Sequence, residues 1–177
     1  IDAINDGAYT TMINRILSLD NPDFFFMSYK KADWTVQYLF FVPKHFFTPE
    51  IIKKRTPLSP NARRAGWVGC NIMLNSIPAT GKIPIILNGK ECDRKNILQK
   101  VSFADILNTD DMNARGWLFD VLYCVESIQS TTFTLSEMYN YESRLQTLHP
   151  DNHNIRAKIR QQLQVLRDKG IIDFVYR

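Results

Sequence analysis

A chain of 177 residues, 45% hydrophobic and 12% aromatic, carries enough apolar side chain for one domain or two small ones, which excludes a disordered polypeptide. Its net charge is only +4, and no apolar run approaches the roughly 18 residues that a membrane-spanning helix needs. The three cysteines, Cys70, Cys92 and Cys124, are odd in number, far apart and without a CxxC pair, so they specify neither a disulfide framework nor a zinc site; buried thiols in a reducing cytoplasm are expected.

The chain opens Ile1-Asp2-Ala3, neither a signal peptide nor an initiating Met, so it is expected to begin inside a longer protein. From Asn5 to Leu19, Ala8, Met12, Ile16 and Leu19 recur at helical spacing behind a candidate Asn5 or Asp6 cap, which predicts a helix. Phe24 to Tyr29 and Val36 to Val42 are rich in aromatic and β-branched residues and predict neighbouring strands, with a third at Ile83 to Leu87 closed by Asn88-Gly89. Between them, Arg55 to Trp67 holds too many Pro, Gly and Asn residues for a regular element and predicts an ordered loop. Its flank is basic: Lys53, Lys54, Arg55, Arg63 and Arg64 are five positive charges without an intervening carboxylate.

Glu91 to Ala114 is polar and mixed in charge, with at most a short connecting helix. It marks a boundary near Asp111, separating a domain of residues 1–110 from one of residues 111–177. Beyond it Leu118, Val121, Leu122, Val125 and Ile128 line one face of a helix. A second helix starts at the capping-box pattern Thr134-Leu-Ser-Glu137, with Met138, Tyr141, Leu145 and Leu148 inward. A third runs from about Asn154 to Lys169, with Ile155, Ile159, Leu163 and Leu166 inward and Gly170 as its C-terminal cap. Ile171 to Tyr176 predicts a strand. Three helices and a strand in this order are those of a winged helix-turn-helix, whose third helix enters the DNA major groove.

The charge is unevenly placed. Residues 1–151 hold 16 Lys/Arg against 16 Asp/Glu, whereas residues 152–177 hold 6 against 2. The third helix offers Arg156, Lys158, Arg160, Gln161 and Gln162, with Gln164 and Arg167, the residue types that pair with base edges or hold phosphates. An ordinary solvated helix has similar composition; the order of elements favours DNA.

A nuclease that uses Mg²⁺ needs two carboxylates and a lysine on adjacent strands. Asp23, and Asp93-Arg94-Lys95, imitate that set, but one opens a strand and the other sits in a polar connector, so they are expected to be unrelated. His45, His149 and His153 form no triad or metal motif and are expected at the surface or at caps.

Several blocks resemble the DpnI-like, dam-replacing family of restriction endonucleases: Ile4-Asn-Asp-Gly-Ala-Tyr9, Asn21-Pro22 with Phe24-Phe25-Phe26, Ala62-Arg-Arg-Ala-Gly-Trp-Val-Gly-Cys-Asn71, Arg115-Gly-Trp117, Phe133-Thr-Leu135 and Lys158 to Lys169. The resemblance implies an α/β (α+β) chain: the C-terminal part of a PD-(D/E)XK nuclease domain followed by a winged helix-turn-helix. It implies a bacterial, cytoplasmic, Mg²⁺-dependent type II restriction enzyme that hydrolyses double-stranded DNA at GATC when the adenine is N6-methylated, and that also holds a structural Zn²⁺. In the family the catalytic Asp, Glu and Lys and the zinc cysteines precede the segment matching Asn5, so this chain is expected to hold no catalytic residue or metal and not to cleave alone. By resemblance Trp67 reads the methyl group, with Arg63 and Arg64 anchoring its loop on phosphates. The alternative is a non-catalytic winged-helix regulator that binds methylated DNA. No long apolar heptad demands a dimer, so a monomer is expected.

Overall fold

The computed structural model describes residues 2–109 and 111–175. The chain forms two compact units, Ile1–Asp105 and Ile106–Arg177, and each is taken by itself.

Among the described residues unit one holds two antiparallel sheets. The larger has the order β2-β3-β6-β7, built from β2 (Phe24–Tyr29), β3 (Val36–Val42), β6 (Ile83–Leu87) and β7 (Lys90–Glu91). The expected strands are therefore present, and β2 shows why they are legible. Phe24 and Phe26 turn inward and stack on Phe47 with ring centroids 3.6 and 5.8 Å away, while Phe25, Met27 and Tyr29 face solvent, the two-residue alternation of a half-covered sheet. Asn88 (φ 51°) and Gly89 (φ 75°) join β6 to β7; two successive positive φ values are the signature of a tight hairpin turn, to which Asn-Gly is suited.

The smaller sheet has the order β1-β5-β4, with β5 (Gly69–Ile72) between β1 (Ile4–Ala8) and β4 (Ile52–Lys54). This corrects the expected helix from Asn5: the segment is a strand paired to β5 through Ile4↔Ile72 and Asn5↔Asn71, and only Tyr9–Ile16 is helical, as α1. Asn5 and Asp6 are not caps. The Tyr9 N–H, an orphan at the helix start, donates instead to the Val68 carbonyl at 3.0 Å. Leu19, expected on the inner face, is fully exposed. The core of this unit gathers Ile16, Val42, Phe46, Phe47, Ile51, Ile52, Cys70, Ile72, Ile77 and Ile83. His45 is buried among them, 3% exposed, its Nε2 hydrogen-bonded to the Ala104 carbonyl at 2.9 Å, so it is a core group rather than a surface one. The connecting helix is longer than expected: α2 spans Arg94–Ile106.

Among the described residues unit two is three-helical, with its middle member broken: α3 (Met112–Ser127), α4 (Leu135–Tyr139) with α5 (Glu142–Leu148), and α6 (Ile155–Asp168). The capping box at the start of α4 is complete. Thr134 Oγ1 accepts from the Glu137 N–H at 3.2 Å, and Glu137 Oε2 accepts from the Thr134 N–H at 2.7 Å. Helix α6 packs on α3, α4 and α5, burying Ile155, Ile159, Leu163 and Leu166 as expected. Its end is a Schellman turn: Gly170, at φ +73°, donates to Arg167 O at 2.8 Å and Ile171 to Leu166 O at 2.9 Å. The strand expected at Ile171 to Tyr176 is not formed over Ile171–Val175; an extended segment becomes a strand only when a neighbour supplies ladder hydrogen bonds. Tyr176 lies outside the described residues.

Candidate nucleic-acid interface

In unit one, β4 and β5 run antiparallel and the loop from Arg55 to Val68 joins their ends. The loop is held by its own backbone: Arg55 N–H to Gly69 O at 3.0 Å, Leu58 N–H to Trp67 O at 2.9 Å, Gly66 N–H to Leu58 O at 3.1 Å and Trp67 N–H to Arg64 O at 3.0 Å. These bonds carry the β4–β5 pairing outward and explain how a stretch full of breakers is ordered. Lys53, Lys54, Arg55, Arg63 and Arg64 are all exposed, and Lys54 Nζ lies 5.5 Å from the Tyr9 ring centroid.

Trp67 is half-buried. One edge of its indole lies on Gly69, where a Cβ would stand 2.8 Å from Cη2 and 2.9 Å from Cζ3. Its ring also takes the Arg64 guanidinium at 5.0 Å, an arrangement that attracts the cation to the ring quadrupole and fixes its direction. Trp67 is thus neither a core residue nor a loose one. The absence of a side chain at Gly69 seats it, and Arg64 covers it.

In unit two the polar side of α6 is organised by neighbouring helices. Arg156 Nε donates to Glu142 Oε2 at 2.8 Å, and its guanidinium lies 4.9 Å from the Tyr139 ring centroid. Arg160 Nη1 donates to the Tyr139 hydroxyl at 2.7 Å. Gln161 is exposed. Lys158 is half-buried, its ammonium 5.7 Å from the Trp117 ring centroid. Trp117 in turn stacks on His149 at 3.7 Å, and His149 Nε2 shares a 2.7 Å hydrogen bond with Asp120 Oδ2. Gln162 corrects the expected contact set: at 5% exposure it belongs to the buried stripe, three residues after Ile159 and four before Leu166, the spacing of a single helix face. The turn between α5 and α6 is pinned by Gln146, whose side-chain amide donates to the Pro150 and Asn152 carbonyls at 3.3 and 3.1 Å.

The carboxylates of the two catalytic imitations are both bonded to backbone N–H groups. Asp23 Oδ1 accepts from the Lys44 N–H at 2.8 Å, and Asp93 Oδ2 accepts from the Asn96 N–H at 3.0 Å, as a cap does at a helix start. Among the described residues no group of three or more His, Cys, Asp or Glu side chains could hold a metal ion. Cys70 and Cys124 are buried and Cys92 half-buried, all as free thiols; burial pushes the Cys124 thiol up to about 12, far from a reactive thiolate. No helix is long and apolar enough to cross a membrane among the described residues.

Tyr139 and Glu142 escape sequence reasoning. Tyr139 stands next to the inward Met138 on α4, and nothing local shows that two arginines about twenty residues later converge on it.

Unit two, a three-helix unit whose last helix carries arginines and an exposed glutamine, has the element order of a helix-turn-helix, and unit one holds an ordered basic loop. Residues 1–110 match the Dam-replacing family and residues 113–177 match the Dam-replacing HTH domain. The chain belongs to the Dam-replacing family of restriction proteins, in which DNA recognition depends on methylation.

Proposed function

We propose that this chain recognises double-stranded DNA containing N6-methyladenine in GATC and serves as the recognition part of a type II restriction endonuclease. The observation that carries the reading is Trp67, held at the end of the β4–β5 pair by Gly69 and capped by Arg64. An N6-methyl group adds a small apolar surface to the major groove, and only an apolar probe gains from it. Burying one methyl against an indole contributes about 1 kcal/mol, roughly a fivefold preference. The two methyls of a palindromic GATC lie close across the dyad, so one indole can meet both. Arg63 and Arg64 then hold phosphates beside it, while Arg156, Lys158, Arg160 and Gln161 of α6 contact phosphates and base edges.

Strand scission in this reading is phosphodiester hydrolysis by a PD-(D/E)XK centre with Mg²⁺, in a protein that also holds structural Zn²⁺. Among the described residues Asp23 and Asp93 bond backbone N–H groups, and no group of three or more His, Cys, Asp or Glu side chains stands together to hold Zn²⁺. No catalytic step is therefore assigned to them. The protein acts as a monomer in a bacterial cytoplasm.

Fluorescence anisotropy of the chain with fully methylated, half-methylated and unmethylated GATC duplexes, at two salt concentrations, tests the reading. The expected result is affinity that rises with each methyl and a salt slope common to all three duplexes. Equal affinity for the three would overturn it.

A further inference from the structure

Helix α6 presents Arg156 and Arg160 four residues apart, hence on one face, and the segment before it organises both. The Tyr139 hydroxyl accepts from Arg160 Nη1 at 2.7 Å, and the face of the same ring lies 4.9 Å from the Arg156 guanidinium. Tyr139 is a common platform, using its hydroxyl for one arginine and its π face for the other. The two arginines differ in their counter-charge. Arg156 is bound to Glu142, with side-chain exposures of 60% and 39%, whereas among the described residues no carboxylate pairs with Arg160.

A carboxylate oxygen and a phosphate oxygen make the same kind of charge-assisted bond to a guanidinium. We propose that Glu142 is an internal surrogate for a DNA phosphate, occupying Arg156 while the duplex is absent, and that Tyr139 keeps both guanidinia aligned for the phosphate that displaces it. The inference rests on α6 being a DNA-contacting helix. An exposed ion pair is easily exchanged, so Arg156 stays available, but each encounter with DNA trades one anionic partner for another. Binding to arbitrary backbone is thereby weakened, and a larger share of the affinity is left to base contacts, which carry the sequence information. Because the same exchange accompanies binding at every sequence, Glu142 sets the overall affinity and its salt dependence without touching DNA.

The test uses the whole chain and a short duplex lacking GATC, with affinity followed against salt. Wild type is expected to bind weakly and with strong salt dependence. Glu142→Gln should bind roughly two- to fivefold more tightly, the scale of an exposed ion pair. The slope of log affinity on log salt should steepen by about one phosphate contact, roughly 0.9. In the Arg156→Gln background the same Glu142→Gln change should have no effect, because the competition acts only through that guanidinium. A gain that persists in that background would mean a general charge effect and overturn the proposal, as would an unchanged or weaker Glu142→Gln. A wild-type chain with no salt-sensitive binding would instead overturn the reading of α6 itself. Circular dichroism melts of each variant distinguish lost binding from lost folding. Tyr139→Phe, which keeps the ring and removes the hydroxyl, should weaken binding only while Arg160 is present.

Discussion

Trp67 and Gly69 show how one missing Cβ can set the direction of a side chain. The indole lies where any residue but glycine would place an atom 2.8 Å away, inside van der Waals contact. Gly69→Ala is therefore expected to push the ring off its seat. Overpacking of this kind costs about 1–3 kcal/mol, visible as a lower urea midpoint, and the displaced indole should also lose methyl discrimination. Trp67→Ala is expected to behave differently: affinity for unmethylated duplex is retained while the preference of about fivefold per methyl disappears. Anisotropy with methylated and unmethylated GATC separates the two variants, and a Trp67→Ala chain that still prefers methylated DNA would exclude this residue as the reader. At the same scale, Gln162 shows how a helical face overrides residue type. Glutamine is a favourable residue for adenine, yet its place between Ile159 and Leu166 puts it inward, and the spacing alone is enough to show this.

Among the elements, α4 depends most on a local device, because a five-residue helix has too few internal hydrogen bonds to nucleate on its own. Its capping box satisfies two orphan backbone donors, and Thr134→Ala is expected to cost about 1 kcal/mol of stability, measured by chemical denaturation. The Thr134 backbone N–H and hydroxyl donate to Glu137 and hold its carboxyl below the usual 4.5. A carboxylate whose folded pKa is depressed contributes stability that is fully present above its unfolded value and is lost as the pH falls through the folded one. Acidification below about pH 4.5 should thus remove the cap's contribution in wild type, and Glu137→Gln should show a flatter stability profile across that range. Helix α6 relies on packing instead: its buried stripe meets α3, α4 and α5, and its polar side is arranged by Tyr139, Glu142 and Trp117.

For the whole molecule, the proposed function assigns a different kind of recognition to each of the two compact units. Unit two offers arginines and an exposed glutamine on a helix, suited to phosphates and base edges. Unit one offers an indole with cations around it, suited to an apolar mark in a charged setting. Expressed separately, the C-terminal unit is expected to fold as a helical domain and bind duplex with strong salt dependence but no methyl preference, while the preference goes with the unit that carries Trp67. Calorimetric titration of each unit against methylated and unmethylated duplex checks this. Methyl preference in the C-terminal unit alone would move the reader to α6.

Features that obey local rules could be read from the chain alone. The alternation of Phe24 to Tyr29, the Asn88-Gly89 turn, the Thr134 capping box, the apolar stripe of α6 and its Gly170 cap each depend on neighbours within a few residues, so they were legible without a fold. The basic loop and its tryptophan were legible as composition and as a family resemblance. Features that depend on partners distant in the chain needed the fold. Asn5 and Asp6 look like helix caps, yet the segment is a strand because β5 lies beside it. Ile52–Lys54 and Gly69–Ile72 are too short to announce themselves and form only by pairing, with each other and, for Gly69–Ile72, also with Ile4–Ala8. Ile171–Val175 has strand composition but, over the described residues, no ladder. His45 can be buried because the Ala104 carbonyl meets its ring nitrogen, and Tyr139 gathers two arginines because α6 packs across α4. Periodicity reports which way a side chain points along its own element, whereas pairing and convergence depend on which elements meet, and that is settled by the burial of the whole core.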